Sequence, residues 1–192
     1  ALVARGWHAV TIDLPGFGLA EKSWTHRYDH AAQARFVLAA MDALQVDRAV
    51  IVGHSMGGNV AAWVAALAPQ RVVALGLVDA AIVDAPNASD PATKPAAPSV
   101  SLGAIALELP PLRRLARVAL RSLFTDATFG ELLRSAFFVT SAATPATIAG
   151  YAAASHVADW DLALLGIVRD AGSNALPRPL AQIATEIGRA HV

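Results

Sequence analysis

The stretch Ile51-Val52-Gly53-His54-Ser55-Met56-Gly57-Gly58 decides how the chain is read. It sets Gly-x-Ser-x-Gly between an apolar, β-branched run, Arg48 to Val52, and a segment whose Val60, Val64 and Leu67 recur at helical spacing. A serine on so tight a strand-to-helix turn has strained backbone angles, and side chains flanking it would collide. Gly53 and Gly57 are expected to remove those collisions, with His54 and Gly58 completing the elbow. The turn also puts Ser55 at a helix N-terminus, where unpaired N–H groups and the helix dipole favour a developing oxyanion, with the Met56 N–H as the natural donor. A serine here could instead merely cap the helix. The combination of strand, elbow, second glycine and helix favours Ser55 as a nucleophile. His54, adjacent on a tight turn, points away from Ser55 and is expected to shape the pocket wall.

Outward from the elbow, strands and helices alternate. His8 to Leu14 reads as a buried strand ended by Pro15-Gly16-Phe17-Gly18, and Tyr28 to Val46 as a helix with Val37, Met41 and Leu44 on one face. Pro69 ends the helix after the elbow, and Ala74 to Val78 is a third strand. The order β-α-β-α-β predicts parallel strands covered on both faces. After Asp79 the character changes. Asp84 to Ser99 is rich in Pro, Ala and small polar residues and reads as a linker. Ser101 to Gly172 then reads as helical throughout. Leu112, Leu115, Ala119 and Leu123 form one stripe, and Arg114, Arg117 and Arg121 form another, expected to be a solvated face rather than a docking surface for an anion. Further helical patterns run over 127–138, 145–155 and 159–171. There is no internal repeat.

Composition narrows the function classes. The 192 residues carry 15 basic and 15 acidic side chains, 55% hydrophobic residues and no cysteine. Zero net charge offers no basic field for a phosphate backbone, so no nucleic-acid partner is expected. Disulfides and thiol chemistry are excluded. No apolar run is long enough to span a bilayer. No paired-histidine metal spacing and no phosphate-cradling glycine loop beyond the elbow are present, so neither metal nor organic cofactor is expected. The expected partner is a small-molecule substrate. Oligomeric state is not legible, nor is location, though a cytoplasmic one is favoured.

The run Gly6 to Gly18 (GWHAVTIDLPGFG), then Gly53-His54-Ser55-Met56-Gly57-Gly58, then Leu77-Val78-Asp79-Ala80-Ala81, resembles the α/β-hydrolase superfamily. The resemblance implies an α/β fold with a mostly parallel sheet, helices on both faces and an inserted helical cap. The three strands would be the family's fourth to sixth, so only the middle of the fold would be present. Residues 1–83 would be core, 84–99 a linker, 100–172 the cap and 173–185 a return to the core. Asp13, in the D-x-P-G-x-G turn, is mainly structural in the family. The implied activity is a serine hydrolase acting through an acyl-enzyme at Ser55 on a small, fairly apolar ester, lactone or amide. Serine rather than aspartate at the elbow argues against dehalogenase or epoxide-hydrolase chemistry. Carbon–carbon bond hydrolases, haloperoxidase-like proteins, acyltransferases and a non-catalytic ligand receptor of the same fold are the alternatives.

Departures from the family pattern shape the remaining expectations. The family's third strand, with the second oxyanion donor, would precede Ala1, and its catalytic acid and histidine would follow Thr185. The 192-residue chain alone is therefore expected to be inactive and poorly stable. Ile187 to Val192 resembles one reading frame of a widely used short-read sequencing adapter, so residues 186–192 are read as an artefact and His191 is not taken as the triad histidine. His8, His26, His30 and His156 are expected at the surface or in packing. Asp79, ending the sixth strand, is a secondary candidate for the acid, since a minority of these enzymes keep it there.

Overall fold

The computed structural model describes residues 3–80, 82, 102–137, 139–171, 174–183 and 186–190. Its centre is set by β1 (Ala49–His54), α2 (Met56–Leu67) and β2 (Val72–Val78). The residues of α2 between Gly58 and Ala66 are buried apart from Trp63, and most are alanine or valine, so the helix backbone lies close on the strands. Val64 and Leu75 are completely or almost completely enclosed. α1 (His30–Ala43) packs against α2, and its His30, Gln33, Ala34 and Met41 are buried. Its start is fixed by Asp29, whose carboxylate accepts from the Ala32 N–H at 2.9 Å.

β1 and β2 are parallel, with a register irregularity after Ala49 and regular pairing from Val50↔Ala74 to His54↔Val78. Beyond β2 lies β3 (Glu186–Ala190), also parallel, from Ala74↔Glu186 to Val78↔Ala190. The stretch read above as adapter-derived thus occupies the open edge of β2, where pairing is made by backbone groups that any sequence without proline supplies. Leu176, Leu180 and Ile183, just before it, join the core formed by α2 and β2. Trp63 on α2 holds this return by donating its indole N–H to the Asn174 carbonyl at 3.2 Å.

The expectation of a buried strand over His8 to Leu14 is corrected: among the described residues this stretch belongs to no sheet, and Trp7, Val10 and Ile12 are exposed. β-branched residues favour a strand only when a neighbouring strand takes up their backbone groups. Here cavities of about 370 and 400 Å³ separate the stretch from β1. β1 is the edge of the sheet, and its Val50 and Val52 remain exposed.

Among the described residues five α-helices follow: α3 (Leu102–Glu108), α4 (Pro110–Leu123), α5 (Asp126–Ala136), α6 (Pro145–Ala152) and α7 (Trp160–Asp170). The 84–99 linker lies outside the described residues. The arginine stripe of α4 is corrected in part: Arg114 is exposed as expected, but Arg117 and Arg121 are engaged. Leu112, Leu115 and Leu123 are exposed, whereas Arg117 and Arg121 turn towards α7 and grip the fully buried Asp161. Each guanidinium bonds both carboxylate oxygens, through Nε at 2.8 Å and Nη2 at 3.1 Å. A buried carboxylate demands such partners more strongly than leucines demand burial on a small helical layer.

Tyr28 joins the helical layer to the core. Its ring lies between Gly16 and Gly166, where an added Cβ would come within 2.8 and 2.6 Å of it. Its backbone N–H donates to Asp170 on α7 at 2.7 Å. Beside it the Trp24 ring is held between the guanidiniums of Arg113 and Arg169, each 4.5 Å from its centroid.

Candidate active site

Ser55 stands between the last residue of β1 and the first of α2, with φ 50° and ψ −120°. A positive φ is strained for a residue with a Cβ, by roughly 1–3 kcal/mol, and is kept only where the surroundings over-determine it. The surroundings here do so. The Ser55 N–H donates across to the Val78 carbonyl of β2 at 2.9 Å, and the Ser55 carbonyl accepts from the Gly58 N–H at 3.0 Å. A Cβ on Gly53 would run into the backbone of Gly57 and Gly58, and one on Gly58 would run into Ala80. Gly57 differs from its expected role: nothing lies within 4 Å of where its Cβ would be. The glycines that the packing requires are therefore Gly53 and Gly58, while Gly57 borders open space over the turn.

The Ser55 side chain is exposed and caps nothing. The alternative of a serine that merely satisfies a helix end is thereby removed. Met56, half-buried, is the first residue of α2, and its N–H belongs to the first turn, whose donors lack intrahelical acceptors. Ser55 and the Met56 N–H therefore share one helix end, where the dipole is positive.

The register places Asp79 beside this point. His54 pairs with Val78, so Ser55 and Asp79 are the next residues out of β1 and β2. Asp79 is half-buried and also has a positive φ, 43°. His54 is exposed and lines the cavity between β1 and residues 10–14, together with Gly53 and Gly57.

The other histidines in the described residues are engaged elsewhere or distant in the chain. His26 pairs with Glu21 at 3.8 Å and His156 with Asp126 at 3.0 Å. His8 is exposed on the unpaired stretch. His30 is buried at the start of α1, where burial holds its pKa below the ordinary value despite the hydrogen bond to Asn174 and the nearby Asp29. Among the described residues no histidine is bonded to Ser55 Oγ. His191 lies outside them. Asp13 has the structural place expected of it, accepting from the Leu19 N–H at 2.9 Å and closing the turn over Gly18. Asp161 was not singled out by its sequence context; the signal was the Arg117/Arg121 pair at i,i+4, spaced to share one carboxylate.

Among the described residues no cluster of three or more metal-binding side chains occurs, and no helix is long and apolar enough to cross a membrane.

A family model of the alpha/beta hydrolase fold matches residues 1–163. The chain belongs to this family. Among alpha/beta hydrolases and related chains, it is 44% identical over 72 residues to the dihydrolipoyllysine-residue acetyltransferase component of an acetoin cleaving system of Pseudomonas putida, covering 38% of this chain and 19% of that protein. It is 35% identical over 75 residues to the esterase YbfF of Escherichia coli, covering 39% of this chain and 29% of that one. The matches thus span under a third of these relatives' lengths. Among solved structures, a meta-cleavage product hydrolase from Pseudomonas fluorescens superposes with a TM-score of 0.62 at 19% identity, over 93% of this chain and 59% of that one. The family model makes it a hydrolase-family protein, and the structural likeness shows the fold, a parallel sheet with helices.

Proposed function

We propose that Ser55 is the nucleophile of a serine hydrolase acting on a small, fairly apolar carboxylic ester, lactone or amide. The observation that carries this is the conformation of Ser55: a positive φ held by two backbone hydrogen bonds and two glycine contacts, with a hydroxyl that caps nothing. Strain so firmly enforced on a polar, exposed residue serves to present Oγ rather than to pack it. In the reaction Oγ attacks the acyl carbonyl as a base takes its proton, the Met56 N–H and the positive end of α2 stabilise the oxyanion, the adduct collapses to expel the alcohol or amine, which takes that proton from the base, and water then cleaves the acyl-enzyme to the free acid and restores Ser55. Asp79 is the carboxylate to be tested as the acid, because the register sets it next to Ser55.

The decisive experiment on the intact protein is turnover of p-nitrophenyl esters of increasing chain length by wild type and Ser55→Ala, with the acyl-enzyme trapped and its site mapped. Retained turnover in Asp79→Asn removes Asp79 from the mechanism without touching Ser55. Similarity to an acetyltransferase component supports a second reading, acyl transfer from the same intermediate. Varying the acceptor separates the two: at millimolar thiol or alcohol a hydrolase still gives mainly the free acid, whereas a transferase gives mainly the acylated acceptor. A receptor of the same fold would be stabilised by ligand without turnover.

A further inference from the structure

At the seam between core and helical layer is a cavity of about 160 Å³ that contains no residue of the elbow. Gly16, Phe17 and Gly18 line it from the turn, Phe124 and Phe129 from the ends of α4 and α5, and Trp160, Leu164 and Ile167 from one face of α7. The α7 residues stand at i, i+4 and i+7, so the wall is a single helical stripe. Phe124 and Trp160 meet edge to face, their centroids 6.0 Å apart and their planes at 65°. An apolar cavity of about 150 Å³ stays dry and takes one benzene ring, so this one is the size of a single aryl group.

Among the described lining residues one, Lys22, is charged. Lys22 is held at this cavity by donating to the Gly18 and Ala20 carbonyls at 2.7 and 2.8 Å. An ammonium has three donors, so one is left after these two bonds. Among the described residues no carboxylate lines the cavity. An apolar chamber of ring size with a fixed cation at its wall is complementary to a ring carrying a single negative charge.

We propose that this cavity binds a small aromatic carboxylic acid, the ring among Phe17, Phe124, Phe129 and Trp160 and the carboxylate on Lys22. None of these residues belongs to the elbow, and the proposal does not depend on the role of Ser55.

The test is ¹⁹F NMR titration of the full chain with 4-fluorobenzoate, 4-fluorobenzyl alcohol, 4-fluorobenzylammonium and fluoroacetate. The expected result is saturable 1:1 binding of 4-fluorobenzoate, about tenfold or more tighter than the alcohol, as a charge-assisted hydrogen bond implies, with no binding of the ammonium or of fluoroacetate. Lys22→Met should lower benzoate affinity about tenfold and leave the alcohol within twofold. Leu164→Trp, which fills the chamber, should abolish both. Equal affinity for benzoate and alcohol, absence of saturable binding by any probe, or benzoate binding that survives Leu164→Trp overturns the proposal. Because the wild-type ligand series decides it alone, misfolding of either variant does not rescue it.

Discussion

Asp161 gives the sharpest quantitative test of the structure. Burial raises the proton affinity of its carboxyl, but the hydrogen bonds from Arg117 and Arg121 more than reverse this and bring its pKa from 3.8 to about 2. Each tenfold change in proton affinity is worth about 1.4 kcal/mol, so ionised Asp161 contributes about 2 kcal/mol at neutral pH. The sign follows from a lowered folded-state value: the contribution is complete above pH 3.8 and is lost as pH falls from there through about 2. Asp161→Asn removes this dependence and leaves two guanidiniums facing a neutral amide, which costs about 3 kcal/mol at pH 7 because one of them is already largely enclosed. Urea denaturation followed by circular dichroism at pH 7, 4, 3 and 2.5 measures both proteins. The gap between wild type and variant should narrow by about 1 kcal/mol between pH 7 and pH 3. Parallel stability curves across this range, or an Asp161→Asn variant as stable as wild type at pH 7, would refute the arginine clamp.

Other expectations concern single positions. Gly53→Ala drives a Cβ into the backbone of Gly57 and Gly58 and should destabilise the chain by about 2 kcal/mol, whereas Gly57→Ala meets nothing and should stay within about 0.5 kcal/mol in the same denaturation experiment. Gly166→Ala presses on the enclosed Tyr28 ring and should cost about 1–3 kcal/mol, read as a lowered Tm. His30, kept uncharged by burial, should give stability that is full above pH 6.5 and declines as pH falls past that value; His30→Gln should flatten this part of the pH profile.

The legible and illegible parts of the sequence divide along physical lines. The elbow was readable because its constraint is local: a strand, a serine with glycines two residues to either side and an amphipathic helix allow few conformations, and together with the Gly6–Gly18 and Leu77–Ala81 runs it carried the resemblance to the family. Which glycines carry the strain was not, because Gly53 and Gly57 look equivalent in one dimension while only the backbone path brings Gly57 back over Gly53. His8 to Leu14 has strand composition, yet a strand exists only when a neighbour pairs with it. α4 shows the limit of periodicity. Its two stripes were separable in the sequence, but which one turns inward is decided by Asp161 on a helix forty residues later. The helical layer itself was visible from spacing, and the observed bounds of α5, α6 and α7 lie within a few residues of the expected ones.

The central claim is that Ser55 forms the covalent intermediate. The most direct measurement is mass-spectrometric mapping of the adduct left by a fluorophosphonate probe on the intact protein, with ester turnover measured in parallel. The account predicts one adduct, on the peptide containing Ser55, and a loss of turnover of about 10³-fold or more in Ser55→Ala. Labelling at another residue, or a Ser55→Ala variant that retains turnover within a few fold of wild type, would contradict it.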